Sequence, residues 1–471
     1  MKKIKVGYLP FYIKLYDDKS SKWRVSCVEY MNKLIKMIED RGFEVVCADE
    51  ICRIKPEFDR AAAKFNADDE ISAIITQHLA YSPSLESIEA LKSLKAPIIV
   101  FDTTPDLELI KYADTVDKIM DNHGIHGVQD MCNMLKRNNI AYELCVGHVS
   151  NSPVLDELCG YIRAAYAAKC FKSARIGMVG GEFEGMGDFR ITDEEYESKI
   201  GAKTVRMTKA DADKILPTIT EDEINAEAEY DKAHYNVKAE NEENYKAAIK
   251  AGLAVRKWME AEKLDGVTVN FLHTDEAGLP KVPFVECCKV MERGQGYAGE
   301  GDNLTAGLVA ALIKAFPDTT FTEMFCPDWK KDTILLSHMG EMNPRLCENK
   351  PSIIDKPFEY NSCGDTTSLV GCFKTGTAVI VNLAPGENGF SLIIAPVDVV
   401  QSGKGDKAYI NEVRGWVKPY CPLPRCLKEY SLAGGTHHSA MVYGDFDNIE
   451  ALEAFGRMMG FETVVIGVEE W

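Results

Sequence analysis

AIITQHLAYSPSLESIEALKSLKAPIIVFD, residues 73–102, reads as strand, helix, strand. Two short apolar runs, 73–77 and 97–102, flank a stretch with helical spacing. Ser82-Pro83 predicts the helix start, with Ser82 as the cap and Pro83 at the first helical position. Upstream, KIKVGYLPF (3–11) and FEVVCA (43–48) read as further strands. Between them Val28, Met31, Leu34, Ile35 and Ile38 recur at three and four, and Gly42 stops that helix. Strands alternating with helices predict parallel β-α-β units and a doubly wound sheet over 1–170.

The pattern resumes at ARIGMVGG (174–181). Two charged helical stretches, 205–234 and 239–266, lead into the strand-like DGVTVNF (265–271). A second α/β domain is expected over 171–317. The last third changes character. FTEMF, TILLSHM, TAVIVNLA, FSLIIAPVDVV and HHSAMVYGD are strand-like, and Pro385-Gly386-Glu387-Asn388-Gly389 is a turn between two of them. The expected fold class is α/β: two doubly wound α/β domains followed by a C-terminal, mainly antiparallel β domain at 318–471.

The chain has 471 residues and a net charge of −19. That balance argues against nucleic-acid binding, which needs a basic patch, and against docking on an anionic membrane. No apolar run reaches the roughly 18 residues of a membrane span. The start, MKKIKVGYLPFYIKLYDD, carries no cleavage site of small residues, so no signal peptide is read and a cytoplasmic location is expected. Fifteen cysteines, none in a C-x-x-C pair, sit mostly inside apolar runs. They read as small buried hydrophobes in a reducing compartment, not as disulfides or a zinc site. The neighbours Cys287 and Cys288 cannot put both sulfurs on one face of a strand.

Three segments carry candidate chemistry. In Phe321-Thr322-Glu323-Met324-Phe325 the odd positions share one strand face, so Glu323 falls between two phenylalanines. A carboxylate there is either paired or metal-bound, or it marks the solvated end of an edge strand. Ser337-His338-Met339-Gly340-Glu341 sets a histidine and a carboxylate just past an apolar strand; a polar turn closed by Asn343-Pro344 is the alternative. Gly434-Gly435-Thr436-His437-His438 runs two histidines into a strand, where at most one should face a site. Two glutamates and an imidazole form a hard-to-borderline set suited to Mn²⁺, Mg²⁺ or Fe²⁺. Such an ion grips adjacent sugar oxygens and polarises a carbonyl while a glutamate removes the neighbouring proton.

Other features read blandly. Asp302, with Thr305 after it, is a helix cap that leaves Gly299-Glu300-Gly301 unexplained. VGGEFEGMGD (179–188) lacks the G-x-G-x-x-G spacing of a dinucleotide site. Asn122-His123-Gly124-Ile125-His126-Gly127 serves as an ordinary helix start.

Taken in order, these segments resemble the L-arabinose/L-fucose isomerase family. Gly296-Tyr297-Ala298-Gly299-Glu300-Gly301-Asp302, Thr322-Glu323-Met324, Ser337-His338-Met339-Gly340-Glu341 and Ala433-Gly434-Gly435-Thr436-His437-His438 are similar to its motifs, and His126-Gly127 to an H-G segment upstream. The resemblance implies a three-domain, Mn²⁺-dependent aldose–ketose isomerase, a homohexamer, acting on an unphosphorylated pentose or a deoxy or modified hexose. Glu323 and Glu341 would bind the metal and serve as the catalytic acid/base pair across a cis-ene-diol. His438 would complete the shell, at the junction of the second and third domains. His126, His338 and His437 are the substrate-binding candidates, with His126 reaching a neighbouring subunit's site. One departure is plain: the region Phe358–Asp365 lacks the further histidine of arabinose isomerases. Two carboxylates and one histidine match the fucose isomerase pattern, and relatives acting on sulfonated hexoses belong to the same wider family. The alternatives are a non-catalytic sugar-binding or sensor protein, and a metal-dependent epimerase or lyase using the same ligands.

Overall fold

Ile71–His78 is the middle strand of a five-stranded parallel sheet, and every one of its residues is buried. Parallel sheets bury both faces under their crossover helices, which is why its apolar run is nearly continuous. The order across the sheet is Glu44–Cys47, Lys5–Phe11, Ile71–His78, Ile98–Asp102 and Tyr142–Val146. Leu9, Phe58, Phe65, Ile74, Ile88 and Val100 are among the apolar residues packed around it. The computed structural model describes residues 3–19, 22–109, 116–387, 389–445 and 447–467. Asn388 of the turn at 385–389, and the first two residues of the basic start, lie outside the described residues.

The helix after this strand starts one residue later than expected. It spans Ser84–Ser93, with Pro83 at the N-cap and no capping bond from Ser82. The cap comes instead from Asp130, on the helix Ile125–Arg137: its carboxylate accepts from the Ser84 N–H at 3.0 Å and from the Ser84 hydroxyl at 2.7 Å. A charged acceptor at a helix N-terminus gains from the dipole as well as from the bond.

The chain forms two compact units. The first is Met1–Tyr166 with Glu450–Met458, and the second is Ala167–Ile449 with Met459–Trp471. In the second unit, a four-stranded parallel sheet runs Gly296–Gly299, Gly266–Val269, Arg175–Val179, Lys203–Arg206. A seven-stranded sheet follows in the order Gly376–Pro385, His438–Tyr443, Thr319–Asp328, Thr333–Ser337, Gly415–Pro419, Phe390–Val400, Glu462–Val465. The first of these strands also pairs with the sixth, so six antiparallel strands close on themselves, barrel-like, and Glu462–Val465 adds one parallel strand outside. Closure removes the free edges that an open sheet would expose.

All fifteen cysteines are free. Cys287 and Cys288 lie in the helix Phe284–Glu292, not in a strand, and both are buried. Among the described residues no helix is long and apolar enough to cross a membrane.

Candidate active site

Glu323 lies halfway along Thr319–Asp328, a strand of the closed sheet. Its strand is flanked on both sides, and register sets Glu323 opposite His438 on one neighbour and opposite Ser337 on the other. The edge-strand alternative is therefore overturned. So is the expected burial of Phe325: the register slips between Met324 and Cys326, and this bulge breaks the alternation, leaving Phe321 in the core and Phe325 exposed. Ser337 is followed at once by His338, so strand pairing alone brings Glu323, His338 and His438 together.

Each imidazole of the cluster has a carboxylate behind it. His338 Nδ1 donates to Glu341 Oε2 at 2.6 Å, and the other Glu341 oxygen accepts from the Tyr297 hydroxyl at 2.7 Å. His438 Nδ1 donates to Asp302 Oδ2 at 3.0 Å. His437 Nδ1 donates to Asp188 Oδ2 at 2.6 Å, and the same oxygen takes the His437 backbone N–H. A carboxylate only accepts, so in each ring Nδ1 carries a proton and Nε2 is the inward-facing atom. Aromatic rings fix the planes. Phe189 stacks on His438 at 5.0 Å, and Phe321 meets His338 and His438 edge-on, both at 5.0 Å.

The inner face holds two carboxylates. Glu323 Oε2 lies 3.9 Å from His338 Nε2. Glu300 Oε2 lies 3.4 Å from His438 Nε2 and 3.5 Å from His437 Nε2. The expectation that at most one of the adjacent histidines faces the site is corrected: the strand begins at His438, so His437 stands in the turn before it and is not bound by strand alternation. Ligand atoms of Glu323, His338 and His438 lie within 4.8 Å of one another, as do those of Glu300, His437 and His438. These are the two groups among the described residues with the donors and spacing to hold a metal ion, and Glu341 joins the first of them through His338.

Charge follows from burial and neighbours. Burial pulls the His437 ring down, but Asp188 and Glu300 outweigh it and hold it up at about 10. Burial works against His438 likewise, and Asp302 and Glu300 raise it to about 9. Burial pushes Glu323 up, against the pull of the three imidazoles. Glu300 goes the other way: burial would raise it, but His437 and His438 hold it well below the usual carboxylate range. Two like groups in one pocket are thus driven apart, the pattern of an acid/base site.

A cavity of about 320 Å³ opens beside His338, lined among others by Phe325, Met339, Lys356, Tyr409 and Arg414. Its size suits a small organic ligand. His126 belongs to the first unit. Its Nδ1 lies 2.6 Å from His123 Nε2, and His123 Nδ1 lies 2.8 Å from the Tyr16 hydroxyl.

Asp302 does cap the helix Asn303–Ala315, accepting the Thr305 N–H at 2.8 Å, and holds His438 with its other oxygen. Sequence reasoning missed Glu300, Asp188 and the second role of Asp302. The usable signal was the glycine on each side of Glu300, which marks a backbone that a side chain adopts only at some cost.

Three family models match the chain in order: the L-arabinose isomerase N-terminal domain over residues 22–173, its central domain over 187–316 and its C-terminal domain over 318–462. These matches define an enzyme of the aldose–ketose isomerase class, an intramolecular oxidoreductase. The L-arabinose isomerase of Clostridium beijerinckii is 26% identical over 434 residues, covering 90% of this chain and 86% of the relative. That of Geobacillus stearothermophilus is 26% identical over 87% of this chain and 84% of its own length, and that of Shouchella clausii 25% over 85% and 82%. The chain belongs to the arabinose isomerase-like family.

Proposed function

We propose that the protein interconverts the aldose and ketose forms of an unphosphorylated pentose or a deoxy or modified hexose, with a divalent cation, through a cis-ene-diol. The observation that carries this reading is the convergence of His338 and His438 Nε2 on the Glu323 carboxylate beside a sugar-sized cavity. Carboxylate oxygens and imidazole nitrogens without thiolate suit Mn²⁺ first and Mg²⁺ next. Glu323, His338 and His438 would hold the ion, while Glu341, whose two oxygens are taken by His338 Nδ1 and the Tyr297 hydroxyl, would orient His338 instead of binding the ion itself. When bound, the ion supplies Lewis acidity at two neighbouring sugar oxygens.

The chain's own groups move the proton. Isomerisation takes the hydrogen from C2 of the aldose and returns one to C1, while a proton passes between the two oxygens. Glu323, pushed up by burial, takes and returns the carbon-bound proton. Glu341 works with His338, whose Nδ1 it fixes, on the oxygen-bound proton. In this reading His437 touches the sugar. The active protein is a homo-oligomer of six copies in the cytoplasm, in which His126 reaches a neighbour's site. Three domains, 1–170, 171–317 and 318–471, make up each copy.

One observation favours a particular modified substrate. Lys356 lines the cavity, with its ammonium 5.6 Å from the centre of the Phe284 ring, and in this reading it is the cation that meets an anionic substituent such as a 6-sulfonate. The test is a ketose assay on metal-stripped protein with L-arabinose, L-fucose, D-arabinose and a 6-sulfonated glucose, with and without Mn²⁺. Ketose formed only with metal is the expected result. No ketose from any sugar under either condition overturns the enzyme reading in favour of sugar binding alone.

A further inference from the structure

Glu341 stands on a stretch of chain with no ladder to hold it. The strand Thr333–Ser337 ends before His338, and the next regular element is the single turn Pro344–Leu346. Gly340 has a φ of +140°, a conformation open to glycine and rarely to other residues. Backbone groups buried in such a stretch still need partners. Asn343 supplies one anchor: its N–H donates to the Thr320 hydroxyl and its side-chain amide to Thr319 O, both at 2.9 Å. The other anchor is a sulfur. Cys288 Sγ–H donates to Gly340 O at 3.2 Å, and the Met342 N–H donates to the same Sγ at 3.4 Å.

The sulfur comes from the helix Phe284–Glu292, and it has company there. Cys287, Cys288 and Met291 are all buried, at spacings of three and four that share one helix face. Met291 Sδ accepts the Phe321 N–H at 3.3 Å, and Phe321 is the ring that meets His338 and His438 edge-on. Cys287 is hydrogen-bonded to the Tyr297 hydroxyl, which in turn donates to Glu341. Charge pins the helix as well. Lys289 Nζ lies 2.6 Å from a Glu227 oxygen, and Glu286 lies 2.6 Å from the Arg256 guanidinium. The helix is therefore a fixed backing, and its sulfurs carry that fixity to the site.

A thiol is donor and acceptor at once, so one Sγ closes bonds to the residue before Glu341 and to the residue after it. We propose that Cys288 is a positioning residue: it fixes the backbone on both sides of Glu341, Glu341 fixes His338 Nδ1, and His338 Nε2 is thereby aimed at the cation site. This rests on the cation reading given under the proposed function. The glycine gives the turn conformational freedom, so the bracket sets where the carboxylate stands. An apolar side chain of the same size fills the space but leaves the Gly340 carbonyl and the Met342 N–H without the thiol that serves them. The groups that orient a ligating imidazole matter to metal affinity nearly as much as the ligand itself.

The test is Mn²⁺ binding to metal-free, full-length protein by calorimetry, with circular dichroism and thermal unfolding as folding controls. Wild type is compared with Cys288→Val, Cys288→Ser and Glu341→Gln. Valine restores the bulk of the side chain and offers neither bond, whereas serine offers both and leaves a gap. Affinity should follow the bonds: Cys288→Val binds Mn²⁺ about tenfold more weakly, and Cys288→Ser stays within about threefold of wild type. Affinity that follows bulk instead, unchanged in Cys288→Val and reduced in Cys288→Ser, makes the residue a matter of packing and overturns the inference. Wild-type affinity in both, beside weakened binding in Glu341→Gln, also overturns it and leaves the cation reading standing. Wild type that binds no Mn²⁺ overturns both.

Discussion

His338 and Glu341 are locked to each other: Nδ1 of His338 lies 2.6 Å from Oε2 of Glu341, three residues further on, and both side chains are almost wholly buried. Burial alone would lower the His338 pKa, yet Glu341 reverses the sign and raises it. The pair therefore behaves as one proton-holding unit facing Glu323. Glu341→Gln removes the charge and keeps the size. We expect kcat to fall by about 10²–10⁴-fold with the protein still folded. Tyr297→Phe removes only the hydroxyl that bonds the second Glu341 oxygen. It should cost about 1 kcal/mol of stability and less than tenfold in kcat. Equal kcat losses in the two variants would contradict the role given to Glu341.

Asp302 serves two masters with two oxygens, and one substitution separates them. Oδ1 caps the helix Asn303–Ala315 and Oδ2 orients His438. Asparagine is as good a cap as aspartate. Its amide nitrogen, however, cannot accept from His438 Nδ1. Asp302→Asn should change stability by no more than about 1 kcal/mol by thermal unfolding while weakening Mn²⁺ binding about 10–100-fold. Loss of both in proportion would mean that the residue matters only as a cap.

The parallel layout of the first unit was legible because buried strands and amphipathic helices differ in period, as Ile71–His78 and Lys22–Glu39 show. Closure of the C-terminal sheet was not. It depends on which distant strands become neighbours, and nothing in Gly376–Pro385 alone says that it pairs with both Phe390–Val400 and His438–Tyr443. The same limit explains the site. Glu323, His338 and His438 stood out because each is a polar residue at an apolar strand. Glu300 did not: the cap at Asp302 left Gly299-Glu300-Gly301 unexplained, and the meaning of that carboxylate arises only when His437 and His438 arrive from the far end of the chain. Asp130 was missed as a cap for a like reason: Ser82-Pro83 offered a local answer, and a charged group from another helix displaced it.

Gly127 lies inside the helix Ile125–Arg137, where alanine is ordinarily better by about 0.5–1 kcal/mol. Here the sign should reverse. A Cβ at this position would sit 2.2 Å from His78 Cδ2 and 3.0 Å from the Ser82 backbone nitrogen. His78 is 4% exposed and stacks on Phe11 at 4.5 Å, so it has little room to retreat. Gly127→Ala should destabilise the first unit by about 1–3 kcal/mol, the usual range for overpacking. A raised melting temperature would show that the ring moves aside freely.

His78 also gives the first unit a built-in acid sensitivity. Neither ring nitrogen has a hydrogen-bond partner, and burial lowers the pKa from an ordinary 6.5 to about 3. Between those values the unfolded chain binds a proton that the folded protein does not. Stability is therefore fully present above about pH 6.5 and declines as the pH falls toward 3, by about 1.4 kcal/mol per unit. At pH 5 the loss from this one residue is about 2 kcal/mol. Leucine has a similar volume and no proton to bind, so His78→Leu should flatten the decline. Chemical denaturation of wild type and variant at pH 7, 6 and 5 measures it directly. Parallel slopes would place the acid sensitivity elsewhere in the unit, whereas a variant that overtakes wild type as the pH falls would assign it to this ring.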